Sequence, residues 1–257
     1  MTRKSGSSRY DPLVPEASPG SFYCANVTLT VDSPTGPFTV LDRVSCEFRE
    51  PRTAVIGLNG SGKSTLLRLF NALVVPQSGV VRVNSIDPVA FPREARAAVG
   101  FVFTDPASQI LMPTPIEDIE LSLRRHVPDR QERTERAREW LVRMGLEHRA
   151  HHSVFDLSGG ERQLVALSAV LAAEPQVLIL DEPTTLLDLR NQLKLIDLLD
   201  NLGQQQLIST HDLDLASTAQ HVAVVHESRI IAQGPPAEMI PQYKNWCANG
   251  FADWQSL

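Results

Sequence analysis

The order of apolar and polar residues changes along the chain from alternation to short apolar runs. Phe22 to Val31 alternates as a strand with one buried face does, and Phe38 to Phe48 reads as a second strand after a proline-rich turn. Thr53 to Gly57 and Val177 to Leu180 are continuous apolar runs, typical of strands buried on both faces. The pattern predicts an antiparallel start followed by a mainly parallel sheet with helices on both faces.

Helical spacing appears between these runs. Leucines and Phe70 recur at helical intervals from Leu66 to Leu73, and Pro76 closes that segment. Asp129 with Glu132 three residues later is a capping-box pattern, and the apolar positions from Ala137 to Met144 then share one helix face up to Gly145. Further strands are predicted at Val80 to Val83, Val99 to Phe103, Gln206 to Ser209 and Val222 to Val225.

Composition excludes some classes of function. The chain has 257 residues and a formal net charge of −6, whereas a nucleic-acid-binding protein usually carries a basic excess. The arginines between residues 124 and 149 could form a basic patch. Glu132, Glu135, Glu139 and Glu147 are interleaved with them, however, and this favours a solvated, salt-bridged helix face. We therefore expect no nucleic-acid partner.

Membrane and redox signals are also informative. No run approaches the roughly 18 uninterrupted apolar residues that a membrane span requires. Residues 1–20 are rich in Ser, Pro, Gly and charge and lack an apolar signal core, so we expect a flexible arm there. Cys24, Cys46 and Cys247 are widely spaced without a Cys-x-x-Cys pair, which favours a reducing compartment. We expect a cytoplasmic protein that reaches a membrane only through a partner.

A glycine-rich loop stands between a predicted strand and a predicted helix. It reads Gly57-Leu58-Asn59-Gly60-Ser61-Gly62-Lys63-Ser64 and fits G-x-x-x-x-G-K-[ST]. Its backbone N–H groups and the helix N-terminus would surround phosphates. Lys63 would reach the β- and γ-phosphates, and the Ser64 hydroxyl would bind Mg²⁺. The predicted ATP-binding residues are Asn59, Gly60, Ser61, Gly62, Lys63, Ser64 and Thr65.

Two carboxylates follow the buried run that begins at Val177. Asp181 and Glu182 would lie at the carboxyl end of a parallel strand, the edge where ligands bind in open α/β sheets. Asp181 suits indirect binding of Mg²⁺, and Glu182 suits a general base that orients and deprotonates the attacking water. An apolar strand ending in Asp-Glu is often structural, but together with the phosphate loop it predicts ATP hydrolysis.

A second glycine cradle lies ahead of this strand. Leu157-Ser158-Gly159-Gly160-Glu161-Arg162-Gln163 places glycine N–H groups beside a serine at the start of a helix, where an anion can bind. One chain offers no second phosphate for this cradle. A dimer would solve the problem, because each cradle would face the nucleotide of the other subunit.

These motifs together resemble those of ATP-binding-cassette (ABC) proteins. The resemblance implies that Ser158, Gly159, Gly160 and Glu161 form the signature motif acting in trans. It implies that Asp188 is a dimer contact and that His211 in Ser-Thr-His-Asp is the switch histidine, catalytic with Glu182 and Lys63.

The resemblance also implies a fold and a division of the chain. The family fold is a RecA-like P-loop core with an antiparallel β subdomain and an inserted α-helical subdomain. The ATPase domain would cover residues 21–240, with the helical subdomain at about 106–162 and a C-terminal tail at 241–257.

The sequence departs from the family pattern at two places. Thr104 stands where the family has a glutamine that contacts the Mg²⁺ and water region and couples ATP to the membrane partner. Threonine is shorter, and we do not transfer the role to Gln109.

The second departure concerns the aromatic side chain that stacks on adenine. In the family it usually ends the first strand, where this chain has Val31. Phe22, Tyr23 or Phe38 could substitute, or the base could pack on aliphatic surface.

Local segments indicate the kind of cassette protein. Residues 105–109 and 113–119 are similar to the ATPases of energy-coupling-factor vitamin and metal importers. There Glu117 and Asp118 would lie near the groove for the coupling helices of the transmembrane subunit; a solvated acidic pair at a helix start is the alternative. Residues 182–191 and 209–215 are most similar to the biotin-uptake subgroup.

The resemblance thus implies a peripheral ATPase on the inner face of the cell membrane. It would bind ATP and Mg²⁺, pair with a second identical or paralogous ABC subunit, and work with integral transporter and substrate-binding membrane subunits to import a vitamin or metal, with biotin a candidate.

Two other classes share some of these motifs. The first is a soluble ABC-type ATPase acting in DNA repair or on the ribosome. Between Lys63 and Asp181, however, there is no room for a long coiled-coil or zinc insertion, and the chain carries one cassette. The second, a kinase or GTPase, would leave the Leu157–Gln163 cradle unexplained.

Overall fold

The computed structural model describes residues 21–34 and 36–251. The predicted N-terminal arm, residues 1–20, and the end of the predicted C-terminal tail, residues 252–257, lie outside the described residues. Within the described ranges, no helix is both long enough and apolar enough to cross a membrane.

Strands and helices alternate along most of the chain. The strands are β1 (Phe22–Ser33), β2 (Gly36–Phe48), β3 (Arg52–Gly57), β4 (Ser78–Val83), β5 (Val99–Val102), β6 (Val177–Asp181), β7 (Gln205–Ser209), β8 (His221–His226) and β9 (Arg229–Gly234). The helices are α1 (Lys63–Phe70), α2 (Pro92–Ala98), α3 (Pro115–Leu123), α4 (Arg130–Met144), α5 (Gly159–Ala172), α6 (Leu189–Asp200), α7 (Leu213–Ser217) and α8 (Pro236–Asn249).

The first sheet is antiparallel, with strand order β2-β1-β4. Its register places Val31 opposite Phe38 and Leu29 opposite Leu41, and a shift between these pairs leaves Val40 as the extra residue of a bulge. The inner face of the sheet is apolar, and Phe22 packs edge-on against Phe70 of α1 with ring centroids 5.2 Å apart. This contact joins the antiparallel sheet to the rest of the core.

The second sheet carries the site. Its strand order is β5-β6-β7-β3-β8-β9, and every pair is parallel except β8 with β9. Strands β3, β5, β6 and β7 are buried throughout. The apolar runs of β3, β5 and β6 predict this burial, whereas β7 also buries Gln205, Gln206 and Ser209. Because parallel strands end at the same edge, β3, β6 and β7 bring Gly57, Asp181 and Ser209 to one edge of the sheet.

The helical region lies between β5 and β6. Asp129 caps α4 by accepting a hydrogen bond from the Glu132 N–H at 2.8 Å, and α4 ends at Gly145 in the left-handed conformation (φ 74°). Helices α3, α4 and α5 pack on one another around Ile119, Leu141 and neighbouring apolar residues. This arrangement confirms the predicted α/β class with an antiparallel sheet and an inserted helical region.

Helix α8 crosses the expected boundary between the ATPase domain, which is predicted to end at residue 240, and the C-terminal tail, which is predicted to start at residue 241. Prolines in this segment, including Pro241 inside the helix, weaken any helical pattern in the sequence. The helix is stabilised instead by burial of Met239, Ile240 and Tyr243 in the same apolar cluster as Val222 of β8.

Candidate ATP-binding and hydrolysis site

The phosphate loop connects the end of β3 to the start of α1. Gly57 and Gly62 have φ angles of +156° and +108°, which L side chains rarely adopt. A Cβ at Gly57 would lie 2.1 Å from the Val225 carbonyl oxygen, and one at Gly62 would lie 2.7 Å from that of Val40. Only glycine therefore allows the loop to turn tightly into the helix N-terminus.

The loop opens onto a pocket of about 320 Å³. It is lined by Val40, Asn59, Gly60, Ser61, Gly62, Lys63, Ser64, Thr65, Thr104 and Glu182. All seven residues predicted to bind ATP therefore line a single pocket, and the predicted general base borders it. The N-terminus of α1 faces this loop, so the pocket favours an anion.

Lys63 is the buried cation of the pocket. Its Nζ donates to the carbonyl oxygens of Gly57 at 2.9 Å and Leu58 at 3.1 Å. Burial lowers the pKa of Lys63 below its usual value, although the charges of Glu182 and Asp181 oppose the shift. A buried ammonium that meets only carbonyl oxygens can accept a further anionic partner, such as a phosphate.

Asp181 lies at the end of β6 and is fully buried. Its Oδ1 accepts hydrogen bonds from the Ser64 hydroxyl at 2.8 Å and the Ser209 hydroxyl at 2.5 Å. Its Oδ2 is buried without a hydrogen-bond partner, and an Arg68 guanidinium nitrogen lies 3.9 Å from it. An anionic oxygen left unpaired in this way fits a cation or a cation-bound water.

The donor set fits Mg²⁺. Among the residues that the structure describes, no group of three His, Cys, Asp or Glu side chains could hold a metal ion by itself. A cation beside Ser64 and Asp181 would therefore take its other ligands from phosphate and water, as Mg²⁺ usually does.

Glu182 and His211 form a pair at the edge of this pocket. Oε2 of Glu182 lies 2.6 Å from Nδ1 of His211 and accepts the His211 backbone N–H at 3.2 Å. Glu182 has a left-handed backbone (φ 53°), and its N–H donates to the Ser209 carbonyl oxygen at 3.0 Å and hydroxyl at 3.2 Å. A left-handed backbone strains a residue other than glycine, and the hydrogen bonds to Ser209 hold Glu182 in this conformation.

The glycine cradle starts α5. Ser158 and Glu161 form a reciprocal capping box, in which the Ser158 hydroxyl accepts the Glu161 N–H and the Glu161 carboxylate accepts the Ser158 N–H. That backbone hydrogen bond lowers the pKa of Glu161, and Arg149 adds to the effect. A Cβ at Gly160 would lie 3.0 Å from the Leu186 carbonyl oxygen. Close packing against the Leu186 backbone therefore favours glycine there.

The structure does not bring every predicted site residue together. Among the described residues that line the phosphate-loop pocket, none belongs to the cradle Ser158–Glu161. Asp188 lies outside the pocket as well, and its carboxylate caps α6 by accepting the Asn191 N–H at 2.9 Å. The cradle glycines pack instead on Leu186, two residues before Asp188 in the chain.

Thr104 and Gln109 have separate environments. Thr104 lines the pocket, whereas the Gln109 amide accepts from Phe103 N–H and donates to Phe101 O, both at 3.1 Å. The Gln109 side chain thus bonds the backbone at the end of β5 and is not available to replace the family's glutamine.

The aromatic candidates for adenine stacking also differ in their exposure. Phe22 is fully buried in the core, so its ring has no free face. Phe38 is 55% exposed and lies directly opposite Val31, which is 44% exposed. Directly opposite residues share a face of the sheet.

Sequence reasoning missed two residues of the site. Ser209 contacts both carboxylate residues, and Val40 lines the pocket. The signal for Ser209 is its place at the end of a predicted strand, next to Asp181 once the two strands are paired.

A parallel sheet with a phosphate loop, an adjacent acidic pair and a glycine cradle at the start of a helix defines an ABC-type ATPase. Residues 41–185 match the family model described as "ABC transporter", and the chain belongs to this family of transporter ATPases. The match confirms the resemblance to ABC proteins that the motifs indicate.

Individual relatives refine this assignment. The chain is 39% identical to the biotin transport ATP-binding protein BioM of Rhizobium etli, over 83% of this chain and 95% of that protein. It is 38% identical to the energy-coupling factor transporter ATP-binding protein EcfA2 of Methanospirillum hungatei, over 75% of this chain and 50% of that protein.

A solved structure shows the same fold. The ATP-binding cassette MJ0796, a dimer in a post-hydrolysis state bound to ADP and Pi, matches with a TM-score of 0.78 and 29% identity, over 84% of this chain and 98% of that one. The likeness confirms the cassette fold of a RecA-like P-loop ATPase.

Proposed function

We propose that this chain is the ATP-driven motor of an importer for a vitamin or metal and that biotin is the first cargo to test. The observation that carries the proposal is the single pocket shared by the phosphate loop, Thr104 and Glu182, in a chain similar to BioM over 95% of that protein. The similarity to a relative named for energy coupling supports the importer class.

Each residue of the pocket has a proposed role in hydrolysis. Asn59–Thr65 bind the phosphates of ATP, and Lys63 stabilises the charge that develops on them. Ser64 and, through water, Asp181 would hold Mg²⁺, which supplies further neutralisation of phosphate charge. Glu182 accepts the proton of the attacking water, His211 orients the Glu182 carboxylate, and His211 would also stabilise phosphate charge, as the family resemblance implies. Their 2.6 Å contact supports a joint action.

The glycine cradle is proposed to act on the nucleotide of a second subunit. Ser158, Gly159 and Gly160 lie outside the chain's own phosphate pocket, yet their N–H groups start a helix that can bind an anion. A similar cassette forms a dimer bound to ADP and Pi. Two copies, or this chain and a paralogue, would close around two ATP molecules, with Asp188 at the contact.

A groove beside the edge strand β5 is the proposed docking site for an integral membrane subunit. It has a volume of about 270 Å³ and lies between the sheet and helices α3 and α5, with Leu111 and Asp118 in its wall. Leu111 is 75% exposed, so an apolar contact is available there. Phe101 and Gln109 line the groove, and Thr104, which lies between them in the chain, lines the ATP pocket. Closure of the ATP pocket could therefore move the groove. Docking would hold the ATPase on the inner face of the membrane.

Co-purification tests this function. The tagged chain is purified from detergent-solubilised membranes of its own host, and its partners are identified by mass spectrometry. We expect an integral membrane scaffold and a small substrate-binding membrane protein, whose bound ligand identifies the cargo. Recovery only with ribosomal or DNA-repair proteins would overturn the transporter assignment.

A pair of variants locates the docking site. Leu111→Arg should abolish recovery of the membrane scaffold, because it places a charge in the wall of the groove. The control Val142→Arg adds the same charge at another exposed apolar residue, on α4, and should leave recovery unchanged. Equal recovery with both variants would exclude the groove as the docking site.

A further inference from the structure

We infer that Ser209 is a positioning residue for hydrolysis: its hydroxyl selects which Asp181 oxygen faces the metal and holds the backbone of Glu182. The inference rests on the proposed metal-binding role of Asp181. Ser209 is the first residue of the Ser-Thr-His-Asp motif, but the role assigned to that motif is that of His211.

The first observation is the asymmetry of the Asp181 carboxylate. Ser209 is the direct neighbour of Asp181 across the parallel strands and is fully buried. Its hydroxyl and that of Ser64 both donate to Oδ1, at 2.5 and 2.8 Å, whereas Oδ2 is buried without a hydrogen bond. Because the Ser209 hydroxyl comes from β7 and the Ser64 hydroxyl from α1, they fix the carboxylate from two elements. Oδ2 makes no hydrogen bond, and the nearest cation to it, an Arg68 guanidinium nitrogen, is 3.9 Å away, so Oδ2 is the oxygen left for the metal and its water.

The second observation is the contact with Glu182. The Ser209 hydroxyl has one proton, which it donates to Asp181, and its lone pair accepts the Glu182 N–H at 3.2 Å. The same N–H reaches the Ser209 carbonyl oxygen at 3.0 Å. Glu182 is in the left-handed region, so its backbone needs such support. One hydroxyl thus links the metal-facing carboxylate to the residue that carries the general base.

The environment of Ser209 favours this interpretation over a structural role. The other buried polar residues of β7, Gln205 and Gln206, bond backbone carbonyl oxygens and Arg52. The Ser209 hydroxyl instead bonds Asp181 and the N–H of Glu182. A buried hydroxyl without partners lowers stability, whereas this one is bonded on both sides. The hydroxyl therefore contributes where Asp181 and Glu182 are oriented.

The test measures metal affinity directly. Electron paramagnetic resonance gives the affinity of Mn²⁺ for the full chain saturated with a non-hydrolysable ATP analogue. We expect Ser209→Ala to weaken Mn²⁺ binding about 10-fold, as loss of an outer-shell partner typically does. It should lower kcat more than it raises KM for ATP, and it should leave affinity for metal-free ATP unchanged. Ser209→Thr, which keeps the hydroxyl, should recover most of the Mn²⁺ affinity.

Two controls separate positioning from folding. Ser168→Ala removes another fully buried hydroxyl, which donates to the Leu164 carbonyl oxygen at 2.7 Å within α5, and should leave Mn²⁺ affinity unchanged. If Ser209→Ala does not fold, Ser209→Cys preserves the volume with a much weaker donor and should show the same loss.

The outcomes distinguish this inference from the proposed site. Wild-type Mn²⁺ affinity in Ser209→Ala, or an equal loss in Ser168→Ala, would overturn the role of Ser209. Asp181→Asn should weaken Mn²⁺ binding as well. If Asp181→Asn leaves that affinity intact, the proposed metal site itself is wrong, and the inference is overturned with it.

Discussion

Nδ1 of His211 lies 2.6 Å from Oε2 of Glu182, and the backbone N–H of His211 donates to the same oxygen. The two residues follow β7 and β6, which are adjacent parallel strands. The backbone N–H of Glu182 is bonded to Ser209, and its carboxylate is bonded to His211. A change at either residue should alter the position of the carboxylate that borders the phosphate pocket.

Replacement of Glu182 by glutamine should separate ATP binding from hydrolysis. The amide preserves the shape of the side chain but cannot accept the proton of water, so we expect hydrolysis to fall by about 10²- to 10⁴-fold. Phosphate release measures the fall in hydrolysis. ATP-bound dimers should accumulate at the same time, as measured by size-exclusion chromatography with ATP. Glu227→Gln, at an exposed glutamate, should behave as wild type. Rapid turnover in Glu182→Gln would refute the assignment of the base.

Asp118 is expected to stabilise the loop beside the groove. Its Oδ1 accepts the N–H groups of Leu111 at 2.8 Å and Met112 at 3.0 Å, so the alternative of a merely solvated acidic pair is wrong for this residue. Asp118→Ala should lower the free energy of unfolding by about 1–3 kcal/mol in urea titrations, because two N–H groups lose their acceptor. Glu139→Ala, on the exposed face of α4, should change it by less than about 0.5 kcal/mol. Equal effects would contradict this role.

The ionisation of Asp118 makes a separate prediction about pH. Burial raises the pKa of Asp118 above 3.8, although the two backbone hydrogen bonds oppose the rise. The folded carboxyl then holds its proton more tightly than the unfolded one, so ionisation lowers stability at pH 7 and the penalty disappears as the pH falls towards 3.8. Asp118→Asn cannot ionise and should have the higher Tm at pH 7, with a smaller advantage at pH 4.5. A constant difference would refute this account.

The sequence was sufficient where a local pattern determines the structure. The phosphate loop needs glycine at 57 and 62, and the buried strands β3 and β6 need continuous apolar runs, so both could be predicted. Helix α8 could not, because Pro241 obscures its pattern and its stability comes from packing on β8.

The site was predictable to a similar extent. Residues within one motif, such as Lys63 and Ser64, could be assigned because the motif fixes their spacing. Ser209 meets Asp181 only through the register of two strands that are distant in sequence. Likewise, nothing in the order of residues shows that the Asp118 carboxylate is bonded to the backbone of its own loop.

Thr104 and Gln109 should respond differently to truncation. Gln109→Ala leaves the Phe103 N–H and the Phe101 carbonyl oxygen without their side-chain partner, so the free energy of unfolding should fall by about 1–3 kcal/mol. Thr104→Ala removes a side chain at the pocket and should alter hydrolysis while changing stability by less than about 0.5 kcal/mol. Urea unfolding and phosphate release are measured on both variants. The reverse pattern would show that Gln109, not Thr104, serves the nucleotide.

Phe38 is the expected stacking partner for the adenine ring. It is exposed, and it lies opposite Val31, where the family places its aromatic residue, two positions before the pocket residue Val40. Stacking of a base on an aromatic ring contributes about 1–3 kcal/mol, so Phe38→Ala should weaken ATP binding by about 5- to 150-fold.

A ligand that lacks the adenine base provides the control for this prediction. Inorganic tripolyphosphate carries the phosphate chain without adenine, so Phe38→Ala should bind it as wild type does in calorimetric titrations. Phe38→Trp retains an aromatic face and should retain the affinity for ATP. An equal loss for ATP and tripolyphosphate would mean that Phe38 supports the phosphate loop through β2, and wild-type ATP affinity in Phe38→Ala would place adenine on aliphatic surface instead.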